Sequence, residues 1–155
     1  MSTVHWLGSG LSATPGIQRL CRLGIPIIVY DPSPASAHRA VAPFLDQNHV
    51  QSVESDWTSC LADLSPGDVV VSMLPASLHD VVAKYCLVNS AHFVTASYCS
   101  EGIDAMQSDV LSKELRFISE IGLDPGIDHL FAHKLVDNYC HSNVYHHKNR
   151  IRFTS

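Results

Sequence analysis

Along this chain, short continuous apolar runs alternate with segments whose apolar residues recur at helical spacing, and turn-forming residues separate the two. The runs predict strands at residues 4–7, 25–30, 50–53, 68–73, 92–95 and 115–119. The clearest buried strand is Asp68 to Met73, and Ile25 to Tyr30 is a run rich in β-branched residues, as in a strand covered on both faces. Between them the spacing predicts helices. The first, 11–23, carries Leu11, Ile17, Leu20 and Leu23 on one face, with Pro15 and Gly16 in its first turn and Gly24 as its stop. A second, 35–45, is weakened by Pro43, and a short one covers 57–64. Ser77 is a candidate cap for 78–88, and Ser100 for a helix near 102–113. The last, 125–140, has Asp124 as its cap, Pro125 in its first turn, and Ile127, Leu130, Phe131 and Leu135 on one side.

Strand and helix therefore alternate with short connections, a pattern that specifies a parallel sheet with right-handed crossovers. The first strand runs into Gly8-Ser9-Gly10-Leu11-Ser12-Ala13, the G-x-G-x-x-A form of the dinucleotide fingerprint. Gly8 permits the tight turn, Gly10 lets a diphosphate meet bare backbone, and Ala13 lets the helix pack closely on the strand. The helix start presents unpaired N–H groups and the positive end of its dipole. Asp31 follows at about the 20-residue distance the motif requires. The predicted class is thus α/β, a Rossmann-type doubly wound parallel sheet with helices on both faces. Every candidate loop follows a strand, so all of them meet at one sheet edge. With no arginine directly after Asp31, its carboxylate favours NAD over NADP, NADP remaining possible; a capping role for Asp31 is the alternative.

The bulk composition narrows the partners. The chain has 155 residues, 46% hydrophobic and 16% charged, with a formal charge of −5. This excludes a disordered polyelectrolyte and argues against nucleic-acid binding through phosphates. The apolar runs are too short to cross a bilayer and no secretory pattern opens the chain, so no membrane role and a cytoplasmic location are expected. Five cysteines without a CxxC pair read as reduced core thiols. His129 and His133 lie one helical turn apart but lack an HExxH carboxylate, so no metal site is expected.

The remaining candidate chemistry follows the later strands. Leu74 and Pro75 end the strand beside the fingerprint, where the nicotinamide ribose lies in this fold, or simply terminate it. Tyr98, in the next loop, offers a hydroxyl to a substrate carboxylate, or is a packed aromatic. The segment Glu120-Ile121-Gly122-Leu123-Asp124-Pro125-Gly126-Ile127-Asp128-His129 opens a second helix at the same edge, and its backbone N–H groups could face a ligand.

Gly8-Ser9-Gly10, Val71-Ser72-Met73-Leu74-Pro75, Thr95-Ala96-Ser97-Tyr98 and Glu120 to Leu130 together resemble the glutamate-forming saccharopine dehydrogenase family, also called saccharopine reductase. The resemblance runs from Val4 to about Cys140 and continues weakly in Phe153-Thr154-Ser155. It implies that Gly8, Ser9, Gly10 and Leu11 hold the pyrophosphate, that Asp31 and Asp56 contact the adenosine half, and that Leu74 and Pro75 flank the nicotinamide. It implies that Ser97, Tyr98 and Asp124 contact an amino-acid substrate, Asp124 and Tyr98 being the catalytic candidates. Leu123, Pro125, Gly126 and Ile127 would line the junction of cofactor and substrate. The implied activity is interconversion of saccharopine with glutamate and aminoadipate semialdehyde by hydride transfer at the C–N bond. Alternatives are a nucleotide-binding module without catalysis, and a related dehydrogenase acting on lysine or carboxylated polyamines. The expected organisation is a dinucleotide-binding domain over 1–141, with 142–155 crossing into a substrate domain that this chain lacks. On that reading the chain alone is inactive, and exposed apolar surface makes it a homo-oligomer.

Overall fold

The protein is described by a computed structural model covering residues 2–54 and 56–150. The predicted architecture is present. Six parallel strands, β1 (Val4–Leu7), β2 (Ile27–Asp31), β3 (Val50–Glu54), β4 (Val69–Ser72), β5 (His92–Thr95) and β6 (Phe117–Ile118), form one sheet in the order β3-β2-β1-β4-β5-β6. The order reverses beside β1, where Leu7 registers with Tyr30 on one side and Ser72 on the other. That reversal point is where a doubly wound sheet binds its ligand.

Alternation along β1 divides the core. Val4 and Trp6 pack with Ile17, Cys21, Val29 and Val41, under α1 (Thr14–Arg22) and α2 (Pro34–Val41). Leu7 joins Val70, Val82, Cys86, Phe93 and Val110 on the opposite face, under α4 (His79–Val88) and α6 (Gln107–Ser112). The short helices α3 (Thr58–Asp63) and α5 (Glu101–Asp104) complete that face. Cys21, Cys60 and Cys86 are buried, with burial pushing the Cys60 thiol up to about 12, whereas Cys99 and Cys140 are exposed and so are not core thiols.

Several helix boundaries differ from the sequence expectation, each for a local reason. The first helix starts at Thr14, because Ala13 N–H closes a turn onto the Gly10 carbonyl; Leu11 is left 81% exposed and off the helix face. The second stops at Val41 and tightens into a 3-10 turn at Ala42–Phe44 around Pro43. Ser77 caps nothing and lies inside a 3-10 turn at Ala76–Leu78 ahead of α4. Ser100 does cap, accepting the Ile103 N–H at 3.1 Å, but its segment divides into α5 and α6.

The last helix, α7, spans Ile127–Cys140 and is capped neither by Asp124 nor by Pro125 in its first turn. Gly122 N–H donates to the Pro125 carbonyl, folding 122–126 on itself, and Asp128 accepts the Gly126 N–H instead. No residue of α7 is buried, so the predicted stripe of Ile127, Leu130, Phe131 and Leu135 faces outward. An apolar groove of about 360 Å³ runs beside α1 over Val71, Met73, Val94 and Ala96. The strand-like pattern at 151–154 and the loop residue Ser55 lie outside the described residues. Among the described residues no helix is long and apolar enough to cross a membrane.

Away from the ligand edge, a buried polar cluster ties three segments together. Asp68 accepts the Thr3 N–H at 2.8 Å and the Ser65 N–H at 2.9 Å, and pairs with His5 Nε2 at 3.2 Å. His5 Nδ1 meets the Tyr30 hydroxyl at 3.1 Å. Burial raises the Asp68 pKa, but the hydrogen bonds from Thr3, Ser65 and His5 outweigh it and leave the carboxyl below its usual range. Because the folded value lies below the unfolded one, the contribution is present above the unfolded pKa and disappears as pH falls through the folded one. Asp68→Asn turns an amide toward existing donors, and should lower stability by about 2–3 kcal/mol at pH 7, read by urea denaturation. That deficit should shrink below about pH 4, where the unfolded chain's carboxylate begins to protonate while the native one still resists; a deficit independent of pH would contradict the assignment.

Candidate functional site

The turn after β1 is held from three sides. Gly8 has φ +87°, and a Cβ there would lie 3.2 Å from the Met73 carbonyl oxygen, so only glycine suits both the turn and the close strand exit. Its N–H donates to the Tyr30 carbonyl at 2.9 Å, and its carbonyl accepts the Trp6 indole N–H at 3.0 Å. Trp6 in turn lies under Gly16, where any Cβ would come within 2.7 Å of the indole. The close helix-to-strand approach assigned to Ala13 is thus shared with Gly16.

Asp31 ends β2 and closes the third side. Its Oδ2 accepts both the Ser9 N–H and the Ser9 hydroxyl at 2.8 Å, and its Oδ1 accepts the Ser33 N–H at 2.8 Å. Burial pushes the carboxyl up, but these bonds from Ser9 and Ser33 outweigh it, so Asp31 sits below the ordinary carboxylate range and is an anion at neutral pH. Beyond this anchor, Gly10 faces open space where its side chain would be. The N–H groups of Gly10, Leu11 and Ser12 have no partner among the described residues, and the first turn of α1 carries no acid. Bare amides, a helix start and room for an approaching group fit a diphosphate.

The exits of the other strands lie along the same edge. Met73 N–H donates to the Leu7 carbonyl, bringing Leu74 and Pro75 beside the glycine turn; Leu74 is half-buried and Pro75 exposed. Asp56 is exposed beyond β3, with its carboxyl lowered by hydrogen bonds from the Thr58 hydroxyl and N–H. After β5, the Ser97 carbonyl accepts the Glu120 N–H at 2.9 Å, and Cys99 N–H donates to Glu120 Oε1 at 3.1 Å. Tyr98 is exposed and its hydroxyl donates to Asp124 Oδ1 at 3.2 Å, a bond that with the nearby charge raises the phenol pKa. Leu123, Asp124 and Ile127 are exposed, and Pro125 is buried. At Gly126, φ +143° and a would-be Cβ 2.4 Å from the Gly122 carbonyl oxygen leave no room for a side chain.

Known proteins carry the same architecture. A family model described as the saccharopine dehydrogenase NADP-binding domain matches residues 4–149. This chain belongs to that family. Within it, the chain is 40% identical over 102 residues to alpha-aminoadipic semialdehyde synthase of Arabidopsis thaliana, covering 66% of this chain and 10% of that protein. It is 30% identical over 135 residues to the NADP(+), L-glutamate-forming saccharopine dehydrogenase of Pyricularia oryzae, covering 87% and 30%. The apo structure of the L-Glu-forming saccharopine dehydrogenase of Saccharomyces cerevisiae superposes with a TM-score of 0.73 at 31% identity, covering 90% of this chain and 31% of that one. The chain therefore spans less than a third of these relatives' length.

For a saccharopine dehydrogenase NADP-binding domain, one expectation changes. A nicotinamide dinucleotide is the family's cofactor, but NAD as the leading choice is not supported, since the family and the fungal relative are both named for NADP. The physical reason is that Asp31 spends its carboxylate on Ser9 and Ser33, so its charge is a poor guide to the ribose substituent. Glu120 was not singled out as a site residue, although it holds the Tyr98 loop at two points and has φ +63°. Its signal is an acidic residue opening the glycine-rich segment. The strand-end loops 8–13, 73–75, 96–100 and 119–126 share the edge, with Asp56 beyond β3 at its far side. Asp31→Ala leaves three donors unpaired and should lower stability by about 2 kcal/mol. A native denaturation midpoint in that variant would remove Asp31 as the anchor.

Proposed function

We propose that this chain is the cofactor-binding part of an NADP(H)-dependent oxidoreductase of lysine and α-aminoadipate metabolism. The reaction would interconvert saccharopine with glutamate and aminoadipate semialdehyde. The observation that carries this reading is the Tyr98–Asp124 pair, which stands on the same sheet edge as the unpaired amides of residues 10–12. The bound cofactor supplies or accepts the hydride, and the protein's part is positioning and electrostatics.

The amides of Gly10, Leu11 and Ser12 hold the diphosphate, assisted by the positive end of α1. Leu74 and Pro75 form an apolar wall on the nicotinamide side, with Leu123, Pro125, Gly126 and Ile127 closing the junction to substrate. Asp124 pairs with the substrate's ammonium and is placed to accept a proton from it. The Tyr98 hydroxyl has one proton, directed at Asp124 here; a substrate carboxylate competes for it, and Ser97 offers a second hydroxyl. Asp56 extends the adenosine side. The names of the relatives support NADP(H) over NAD(H). The bare apolar face of α7 and the groove over β4 and β5 support self-association of this chain.

Calorimetry on this chain should show NADPH binding about tenfold tighter than NADH, a difference of about 1.4 kcal/mol; equal heats would remove the NADP preference. Adding saccharopine to the NADP(+)-loaded chain should give no turnover. In a protein joining this chain to a substrate domain of the length its relatives have, Asp124→Ala should lower kcat/KM for saccharopine by at least about 100-fold. An unchanged kcat/KM would take Asp124 out of the site. Sedimentation should show dimers or larger species at high concentration, and a clean monomer would count against self-association.

A further inference from the structure

One buried histidine takes no part in the chemistry above, yet lies between the two loops that do. His79 opens α4 and is 2% exposed. Its Nε2–H donates to the Leu74 carbonyl at 3.0 Å, which leaves Nδ1 as the unprotonated nitrogen of a neutral ring, 3.4 Å from Thr95 Oγ1. Burial lowers the imidazole pKa despite the opposing effects of the Leu74 carbonyl and the Asp80 charge, so the ring is neutral at pH 7. The buried Thr95 hydroxyl lies 3.1 Å from the Ser72 carbonyl and 3.4 and 3.5 Å from His79 Nδ1 and Nε2, so its single proton is shared between the Ser72 carbonyl and the unprotonated Nδ1, while its oxygen accepts the Ser97 N–H at 3.3 Å. Phe93 meets the imidazole edge-on, with centroids 6.2 Å apart. The neighbouring Ser72 hydroxyl is buried without a hydrogen-bond partner.

Each half of this hub ends on a different side of the site. Leu74 belongs to the wall beside the glycine turn, and Ser97 begins the loop that carries Tyr98. We propose that His79 is a positioning residue, fixing the cofactor-side turn 73–75 and, through Thr95, the substrate-side loop 97–98 at one spacing. The functional consequence rests on the reading of this edge as a cofactor site; the positional claim does not.

Three variants separate packing from hydrogen bonding. His79→Phe keeps a ring against Phe93 but has no N–H, His79→Gln returns an amide donor near the Nε2 position, and Thr95→Val removes the shared hydroxyl. Amide hydrogen exchange would be followed in peptides covering 73–78 and 96–100, with β1 and β2 as internal references, alongside NADPH titration. His79→Phe should speed exchange in both loops about tenfold and weaken NADPH about tenfold, the effect of one lost hydrogen bond, with the references unchanged. His79→Gln should stay within about threefold of native in both readouts, and Thr95→Val should loosen 96–100 while 73–78 stays protected. Native protection of both loops in His79→Phe, equal impairment by the Gln and Phe variants, or loosening that includes β1 would overturn the proposal. If the native chain binds no NADPH, the cofactor reading fails, and the exchange pattern alone decides the role of His79.

Discussion

The half-buried carboxylate of Asp31, bonded to the Ser9 and Ser33 donors, is the interaction on which the ligand edge depends. A turn with bare amides is intrinsically unstable, because every donor it reserves for a ligand is one that does not stabilise the fold. The chain resolves this by fixing the residues just before the reserved donors. Gly8 is bonded to Tyr30 and Trp6, and Ser9 to Asp31, so the amides of residues 10–12 begin from an immobile point. Preorganisation of this kind lowers the ordering cost when an anion binds. The two sides of the turn come from β1 and β2, which places the anchor within the sheet's own register.

The same logic extends along the sheet. Parallel pairing brings every strand's carboxyl end to one edge, but it does not set the distances between the loops that follow. Those distances are set by a few cross-loop hydrogen bonds: Met73 to Leu7, His79 to Leu74, Thr95 to Ser72, and Glu120 to Ser97 and Cys99. The Tyr98–Asp124 pair is the outermost link, exposed and open to competition from a ligand. The Thr95–Ser72 link is buried, the His79–Leu74 link part-buried, and the Glu120–Cys99 and Tyr98–Asp124 links exposed, so solvent access rises toward the substrate-side loops.

Much of this was legible in the order of residues, because the relevant signals are local. Continuous β-branched runs gave β2 and β4, the glycine spacing gave the first turn, and alternation gave the doubly wound sheet. What escaped reading depends on partners far away in sequence. The pattern reads Asp31 as a ribose contact, and its second role, holding Ser9 22 residues earlier, is invisible to a local pattern. Asp124-Pro125 looked like a helix start because a cap and a first-turn proline are locally ideal, yet the Gly122–Pro125 bond moved that start to Ile127. The apolar residues of α7 have the spacing of a buried stripe, but nothing among the described residues covers them. His79 and Glu120 carried no spacing signal, since each acts by reaching a neighbouring loop.

Titration of the isotope-labelled chain with NADPH, followed amide by amide in NMR spectra, probes the anchored turn directly. The Gly10, Leu11 and Ser12 resonances should shift most, while the Ser9 amide, already bonded to Asp31, shifts little. Saturable binding that leaves residues 10–12 unmoved, or no binding at all, would contradict a diphosphate cradle built on this turn.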